Sequence, residues 1–236
     1  GRSRALVVTG GHSHPSEDSV PSLEAVLGAT GFDLQVSEDP EAAFVGLAAA
    51  PPDLLVVNAL RFTMADERYA ELRERWALSL GPEARDAVVG YVEGGGRLLG
   101  LHTALVSFDD WDGWGDLLGG SWDWGRSSHG PLGEVEVTVA DTHPVLRGVR
   151  SFTVTDECYA HLALRAGNVE LATMVQDGVE TQPASWIRRA GSGRVAVSAL
   201  GHDRRSLDHP EHRRLLVGLV EWLDAHATDR AGGSTG

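Results

Sequence analysis

Imidazoles and carboxylates are the side chains of this sequence best suited to moving protons or holding a metal, and several stand directly behind short apolar runs. His12 and His14 follow residues 4–9, Asn58 and Arg61 follow residues 53–57, and His102 and Thr103 follow residues 97–101. Asp156, Glu157 and Tyr159 follow residues 152–155, and His202 and Asp203 follow residues 194–199. An imidazole titrates near neutrality and a carboxylate below it, so a cluster of both suits general acid–base work or ligation of a divalent ion. Covalent chemistry is disfavoured. The segment 100–104 is where a strand–turn–helix elbow would present Ser or Cys, and the residue there is His102. The single cysteine, Cys158, lies beside carboxylates that raise rather than lower a thiol pKa.

Such scattered groups meet only if the runs before them are parallel strands, whose carboxyl ends open onto one cleft. The order of elements supports this. Residues 4–9, 53–57 and 97–101 are continuous apolar runs of the kind buried on both faces of a parallel sheet, and 32–37 reads as a further strand. Helices are expected over 21–30, 40–50 and 82–93, each begun by Pro and ended at Gly or at a Pro pair. Residues 134–139 alternate cleanly, and 152–155, 169–175, 184–187 and 194–199 are short and β-rich, as antiparallel or edge strands are. A closing helix over 209–226 places Leu215, Leu216, Leu219, Val220 and Leu223 on one face. The fold class is therefore α/β: a flavodoxin-like, three-layer arrangement with a mainly parallel central sheet and added antiparallel edge strands. Residues 1–228 are expected to form one domain and 229–236 a disordered tail. Gly94–Gly96 follow a helix instead of opening one, so they are a helix cap and not a phosphate-binding loop; no nucleotide cofactor is expected.

Composition narrows the partners. The 236 residues carry 34 acidic and 20 basic side chains, every basic one Arg, for a formal charge of −14, and nothing builds the cationic face that nucleic acid requires. One cysteine excludes a disulfide framework and Cys-cluster metal sites. No apolar run reaches the roughly 18 residues that span a bilayer, and no secretory leader is visible, so a cytoplasmic protein with no membrane partner is expected. A mixed edge strand permits a homodimer. Four of the seven tryptophans, Trp111, Trp114, Trp122 and Trp124, lie in the long segment 111–131 with His129, which reads either as a lid over the cleft or as irregular core. His143, His209, His212 and His226 read as turn or helix-surface residues.

Several short pieces together resemble the ThuA-like (trehalose-utilisation) family: Gly-Gly-Arg-Leu-Leu-Gly-Leu-His-Thr-Ala at 95–104, Leu-Leu-Gly-Gly-Ser-Trp at 117–122, Thr-His-Pro-Val at 142–145, Asp-Glu-Cys-Tyr at 156–159, Trp186 with Gly-Arg-Val at 193–195, and Leu-Gly-His-Asp at 200–203. The resemblance runs from about residue 5 to residue 224. It implies membership of the class I glutamine amidotransferase-like superfamily, with its flavodoxin-like sheet. Members that hydrolyse glutamine carry Cys where this chain has His102, so the resemblance argues against that activity. It also implies a place in disaccharide catabolism, beside sugar dehydrogenases that make 3-keto-glycosides.

The reading that joins residues and resemblance is a carbohydrate-active enzyme that cleaves or modifies a glycoside or 3-keto-glycoside by acid–base chemistry. His102, Glu157, His202 and Asp203 are the expected catalytic groups. Asn58, Arg61, Thr103, Trp122, His129 and Tyr159 are expected to hold a small carbohydrate. Two assignments stay open: His12, His102, Glu157 and His202 bind a divalent metal such as Zn²⁺, with Asp156 or Asp203 orienting an imidazole, or no metal binds and His102 and Glu157 act directly. A non-catalytic sugar-binding or regulatory protein and a metal-dependent hydrolase of another polar molecule are the alternatives.

Overall fold

The computed structural model describes residues 2–140 and 142–225; the expected tail 229–236 and His226 lie outside them. The chain runs β1 (Ser3–Val8), α1 (Val20–Ala29), β2 (Phe32–Ser37), α2 (Pro40–Val45), β3 (Leu54–Val57), α3 (Pro82–Glu93), β4 (Arg97–Leu101) and α4 (Asp112–Leu118). It continues through β5 (Gly133–Val139), β6 (Phe152–Asp156), β7 (Val169–Val175), β8 (Gln182–Ala190) and β9 (Gly193–Ser198) to α5 (Pro210–Asp224). One sheet holds the nine strands in the order β2-β1-β3-β4-β9-β8-β7-β5-β6. The first five in that order are mutually parallel, and each remaining neighbour pair is antiparallel.

Local sequence accounts for this layout. All four residues of β3 are buried, as are Ala5–Val8 and Leu98–Leu101, because α1 packs with α5, and α2 and α4 with α3, in layers that cover the sheet. β5 instead alternates buried and exposed, the mark of a sheet with one wet face. Leu215, Leu216, Leu219, Val220 and Leu223 of α5 are all buried. Their residue types are those the helical spacing singled out.

Three expectations need correction. The helix expected over 40–50 stops at Val45 and tightens into a 3-10 turn, Gly46–Ala48, before the Pro51–Pro52 pair. The strand expected over 184–187 is nine residues long. His212 is no surface residue: it is fully buried on α5, with Nε2 3.0 Å from Ser198 Oγ and Nδ1 3.1 Å from Ser206 Oγ. The two hydroxyls supply what its polar edge needs, which periodicity alone does not reveal.

The antiparallel half has one consequence for the site. β6 stands four places from β9 in the sheet, which in a flat sheet would separate them by roughly 19 Å. The backbone N–H of Gly201, just past β9, nonetheless donates to Asp156 Oδ2 at the end of β6 over 2.7 Å. The sheet therefore curls, and the register shifts of β7 against β8 between Glu170 and Thr173 are the kind of irregularity that increases twist and bend. Because β6 runs in the same direction as β9, its carboxyl end arrives at the same edge.

Candidate active site

His102 ends β4 at the start of a 3-10 turn, His102–Leu105, with a left-handed φ of 42° that a non-glycine residue adopts only when its surroundings enforce it. The strand thus turns sharply at His102 and presents an imidazole there. The ring is buried. Its Nδ1 lies 2.8 Å from the Ala199 carbonyl, which can only accept, so Nδ1 carries the proton and Nε2 faces the cleft. Tyr159 stacks on that ring at 4.2 Å between centroids, with its hydroxyl 3.0 Å from Nε2.

Glu157 sits between imidazoles. Its Oε2 is 3.2 Å from His102 Nε2 and 3.3 Å from His202 Nδ1, and its Oε1 is 3.6 Å from His129 Nδ1. Burial by itself would raise the Glu157 carboxyl, but the adjoining His102 and His202 rings overcome it and hold the group well below the usual carboxylate range. The same contact, outweighing burial, raises His202.

His14 is the fourth member. The loop that carries it leaves β1 through Gly10 and Gly11, and Gly11 has a φ of 127° with the position of a Cβ only 2.2 Å from the Leu60 carbonyl oxygen. Only glycine fits there. His14 packs edge-on to His202 at 4.9 Å and lies 6.0 Å from the His102 ring. Its Nδ1 donates to the His12 carbonyl over 3.1 Å, and burial, then the neighbouring His102, lowers its pKa to about 4. One ligand-capable atom from each of His14, His102 and His202 lies within 4.8 Å of the others.

Placement of the remaining candidates is mixed. His12 turns away to lie against Trp76, at 6.1 Å between rings. Asp156 is buried, with Oδ1 3.9 Å from His102 Nδ1, and its hydrogen bonds go to backbone: besides Gly201 it accepts the N–H groups of Glu157 at 2.7 Å and His202 at 3.3 Å, tying the two strand ends together. Asp203 caps the short helix Arg204–Leu207 through Arg205 N at 2.8 Å and pairs with the Arg205 side chain. Thr103 is buried with its hydroxyl donating to the Asn58 carbonyl at 2.7 Å, and Arg61 donates to the Trp76 carbonyl at 2.9 Å, so both brace loops. The Asn58 side-chain oxygen is buried without a partner. Tyr159, expected to touch substrate, is buried behind His102 and positions that ring.

The segment 111–131 divides between the two roles foreseen for it. Trp114 is core, buried against Phe44 and Phe108 with its indole N–H on the Ala104 carbonyl at 2.8 Å. Trp122 instead walls the cleft, 5.2 Å from Tyr159 and 6.1 Å from His129, and Trp124 beyond it is exposed. Ser128–His129 pairs with Tyr159–Ala160, which fixes His129 at the rim. Cys158 is buried, and burial with the Asp156 charge pushes its thiol up to about 11, as the sequence led us to expect. The cluster stays reachable from solvent: the side chains of His202 and Glu157 are 20% and 14% exposed, and that of His129 44%.

Comparison with known proteins follows the same lines. The family model described as ThuA, trehalose utilisation, matches residues 4–223. A ThuA-like protein of Parabacteroides merdae has a solved structure that superposes with a TM-score of 0.75 at 19% identity, covering 100% of this chain and 93% of that one. For a ThuA-like protein of Bacteroides uniformis the values are 0.70 and 18%, over 94% and 91%. A β-galactosidase of Rahnella contains a similar unit, with a TM-score of 0.62 at 14% identity over 94% of this chain and 31% of the enzyme. Likeness at these identities concerns the fold. Among curated proteins none matches.

Proposed function

The chain belongs to the ThuA (trehalose utilisation) family, and from that premise we propose that it is a carbohydrate-active enzyme whose reacting centre is the His14, His102, Glu157 and His202 cluster. The substrate class is a glycoside oxidised to a ketone at C3. The observation that carries the reading is the meeting, at one sheet edge, of three imidazoles around one carboxylate.

The chemistry follows from that meeting. A ketone at C3 acidifies the hydrogen on C2; removal of that proton gives an enolate, and the electron pair returns to expel the glycosidic oxygen from C1. Water then adds at C1 and a proton returns to C2, so the net change is hydrolysis with no redox step. His14, kept neutral by burial, turns Nε2 to the cleft as base beside His102, and His202, raised by Glu157, offers a proton to the leaving oxygen. Glu157 supplies the countercharge that keeps His202 a donor. Trp122 offers an indole face at the wall and His129 a polar rim group, which suits a sugar ring. The cytoplasm is the compartment we assign.

The test is turnover of a 3-keto-disaccharide beside its unoxidised parent, followed by release of free reducing sugar. Cleavage of the keto form only, lost in Glu157→Gln, supports the reading. Saturable binding of both without cleavage would make the protein a sugar-binding one, and equal cleavage of both would remove the need for the ketone.

A further inference from the structure

We infer that His14, His102 and His202, with Glu157, form a binding site for one divalent transition-metal ion of the zinc type. The inference deepens the assignment of the same centre, but it stands on the geometry of the nitrogens and not on the identity of the substrate.

The first argument is the direction of the ring nitrogens. The Nδ1 atoms of His14 and His102 are both spent on main-chain carbonyls, of His12 at 3.1 Å and Ala199 at 2.8 Å. A carbonyl accepts only, so each Nδ1 carries a proton and each Nε2 is the atom turned to the cleft. That is how a ligating histidine is oriented by its outer hydrogen bond. The second is orphaned polarity. His14 Nε2 is buried from solvent and makes no hydrogen bond, and His202 Nδ1, equally buried, has only Glu157 Oε2 at 3.3 Å beside it. Buried imidazole nitrogens are normally satisfied, and an unsatisfied one in a group of three imidazoles whose ligand-capable atoms lie within 4.8 Å of one another points to a shared partner.

The third argument is charge. His102 Nε2 faces Glu157 Oε2 at 3.2 Å, and His202 Nδ1 faces the same oxygen at 3.3 Å. A carboxylate oxygen and two imidazole nitrogens that converge so closely need positive charge among them, as protons or as a cation. A single proton on His202 relieves one contact; a cation relieves all of them.

Donor type and spacing select the ion. Three imidazoles and a carboxylate are the ligands of zinc and its first-row neighbours and not of the harder magnesium or calcium. A tetrahedral ion roughly 2.0–2.1 Å from each nitrogen sets the nitrogens about 3.4 Å apart. Rotations that draw the imidazoles in by about an ångström therefore close the site. Tyr159, whose hydroxyl bonds His102 Nε2, would turn its proton to an oxygen on the ion. A bound ion that widened to a fifth position would supply positive charge to a substrate oxygen, with His14, His102, His202 and Glu157 as the groups that hold it.

The test uses untagged full-length protein prepared without chelator, assayed for metal, then stripped and titrated with Zn²⁺ and, separately, Co²⁺. The expected result is one equivalent bound and a visible cobalt spectrum of a four- or five-coordinate nitrogen-rich site. His14→Ala and Glu157→Gln should each weaken binding by about 100-fold or more, the upper end of what even an outer partner costs, while His12→Ala binds as the parent does. His14→Gln, closer in size, replaces His14→Ala if circular dichroism shows that variant unfolded. Absence of stoichiometric binding, or binding lost in His12→Ala and kept in His14→Ala, overturns the site. Turnover of a keto-sugar by metal-free protein would overturn the metal's role and leave the proposed reaction standing; tight metal binding without turnover would do the reverse.

Discussion

Replacing Asp156 by Asn tests how the two distant strand ends are held together. The carboxylate is fully buried, with Oδ1 accepting from Glu157 N at 2.7 Å and His202 N at 3.3 Å, and Oδ2 from Gly201 N at 2.7 Å. Asn has one oxygen. If that oxygen keeps the Glu157 and His202 side, the amide NH₂ meets the Gly201 N–H donor to donor. Loss of one hydrogen bond to a charged group costs about 1.5–3 kcal/mol, and a buried donor left unsatisfied about 1–3 kcal/mol more. Removal of a buried charge offsets part of this, so the net expectation is about 3 kcal/mol. In a chain of this length each kcal/mol lowers Tm by about 2–4 °C, so a fall of about 6–12 °C is expected in a thermal scan. Asp203→Asn is the control: Asn caps a helix as well as Asp does, and its Tm should stay within about 2 °C of the parent. Equal Tm values for the two variants would refute the clamp, and with it the account of how Glu157 and His202 come to face each other.

Three further outcomes follow from the same structure. Glu157→Gln removes the carboxylate that bridges His102 and His202 and should lower turnover by about 10²- to 10⁴-fold while the far-ultraviolet dichroism is unchanged, as initial rates will show. Gly11→Ala places a methyl 2.2 Å from the Leu60 carbonyl oxygen at a left-handed φ; we expect about 2 kcal/mol or more in urea unfolding, against about 1 kcal/mol for Gly31→Ala, where φ is positive but nothing lies within 4 Å. His212 is neutral when folded, since burial lowers its pKa to about 4, whereas the unfolded chain protonates near 6.5. The unfolded state therefore binds the extra proton as pH falls from 6.5 to about 4, and stability on the order of 3 kcal/mol is lost across that window; His212→Gln should remove one proton from the slope of stability against pH.

Much of the scaffold was legible because parallel strands buried on both faces are written as unbroken apolar runs. Leu54–Val57 and Arg97–Leu101 fall where residues 53–57 and 97–101 suggest, and the polar residues behind them do gather at one edge. Which member of a polar pair points inward was not legible. His12 and His14 occupy one short loop, and their directions are set by Gly11 pressed against Leu60 and by the His14 bond to the His12 carbonyl, neither of which spacing encodes. Asp156 and Glu157 are neighbours in sequence, yet one is a buried brace and the other faces the cleft, because successive residues at a strand end point to opposite sides. His212 shows the limit of periodicity from the other side: a polar residue on the buried stripe of α5 is satisfied by two serines that only the fold brings near.

The central claim is that this cluster removes a proton beside a ketone, and the fate of one hydrogen decides it. A 3-keto-disaccharide is cleaved in D₂O and the freshly released keto-sugar is read by proton NMR at C2. The account predicts deuterium at C2 at the earliest times with the parent protein, and neither label nor release with Glu157→Gln. Free sugar released with its original hydrogen at C2, and at the same rate from a substrate deuterated at C2, would contradict it, since the bond would then have been broken without an enolate.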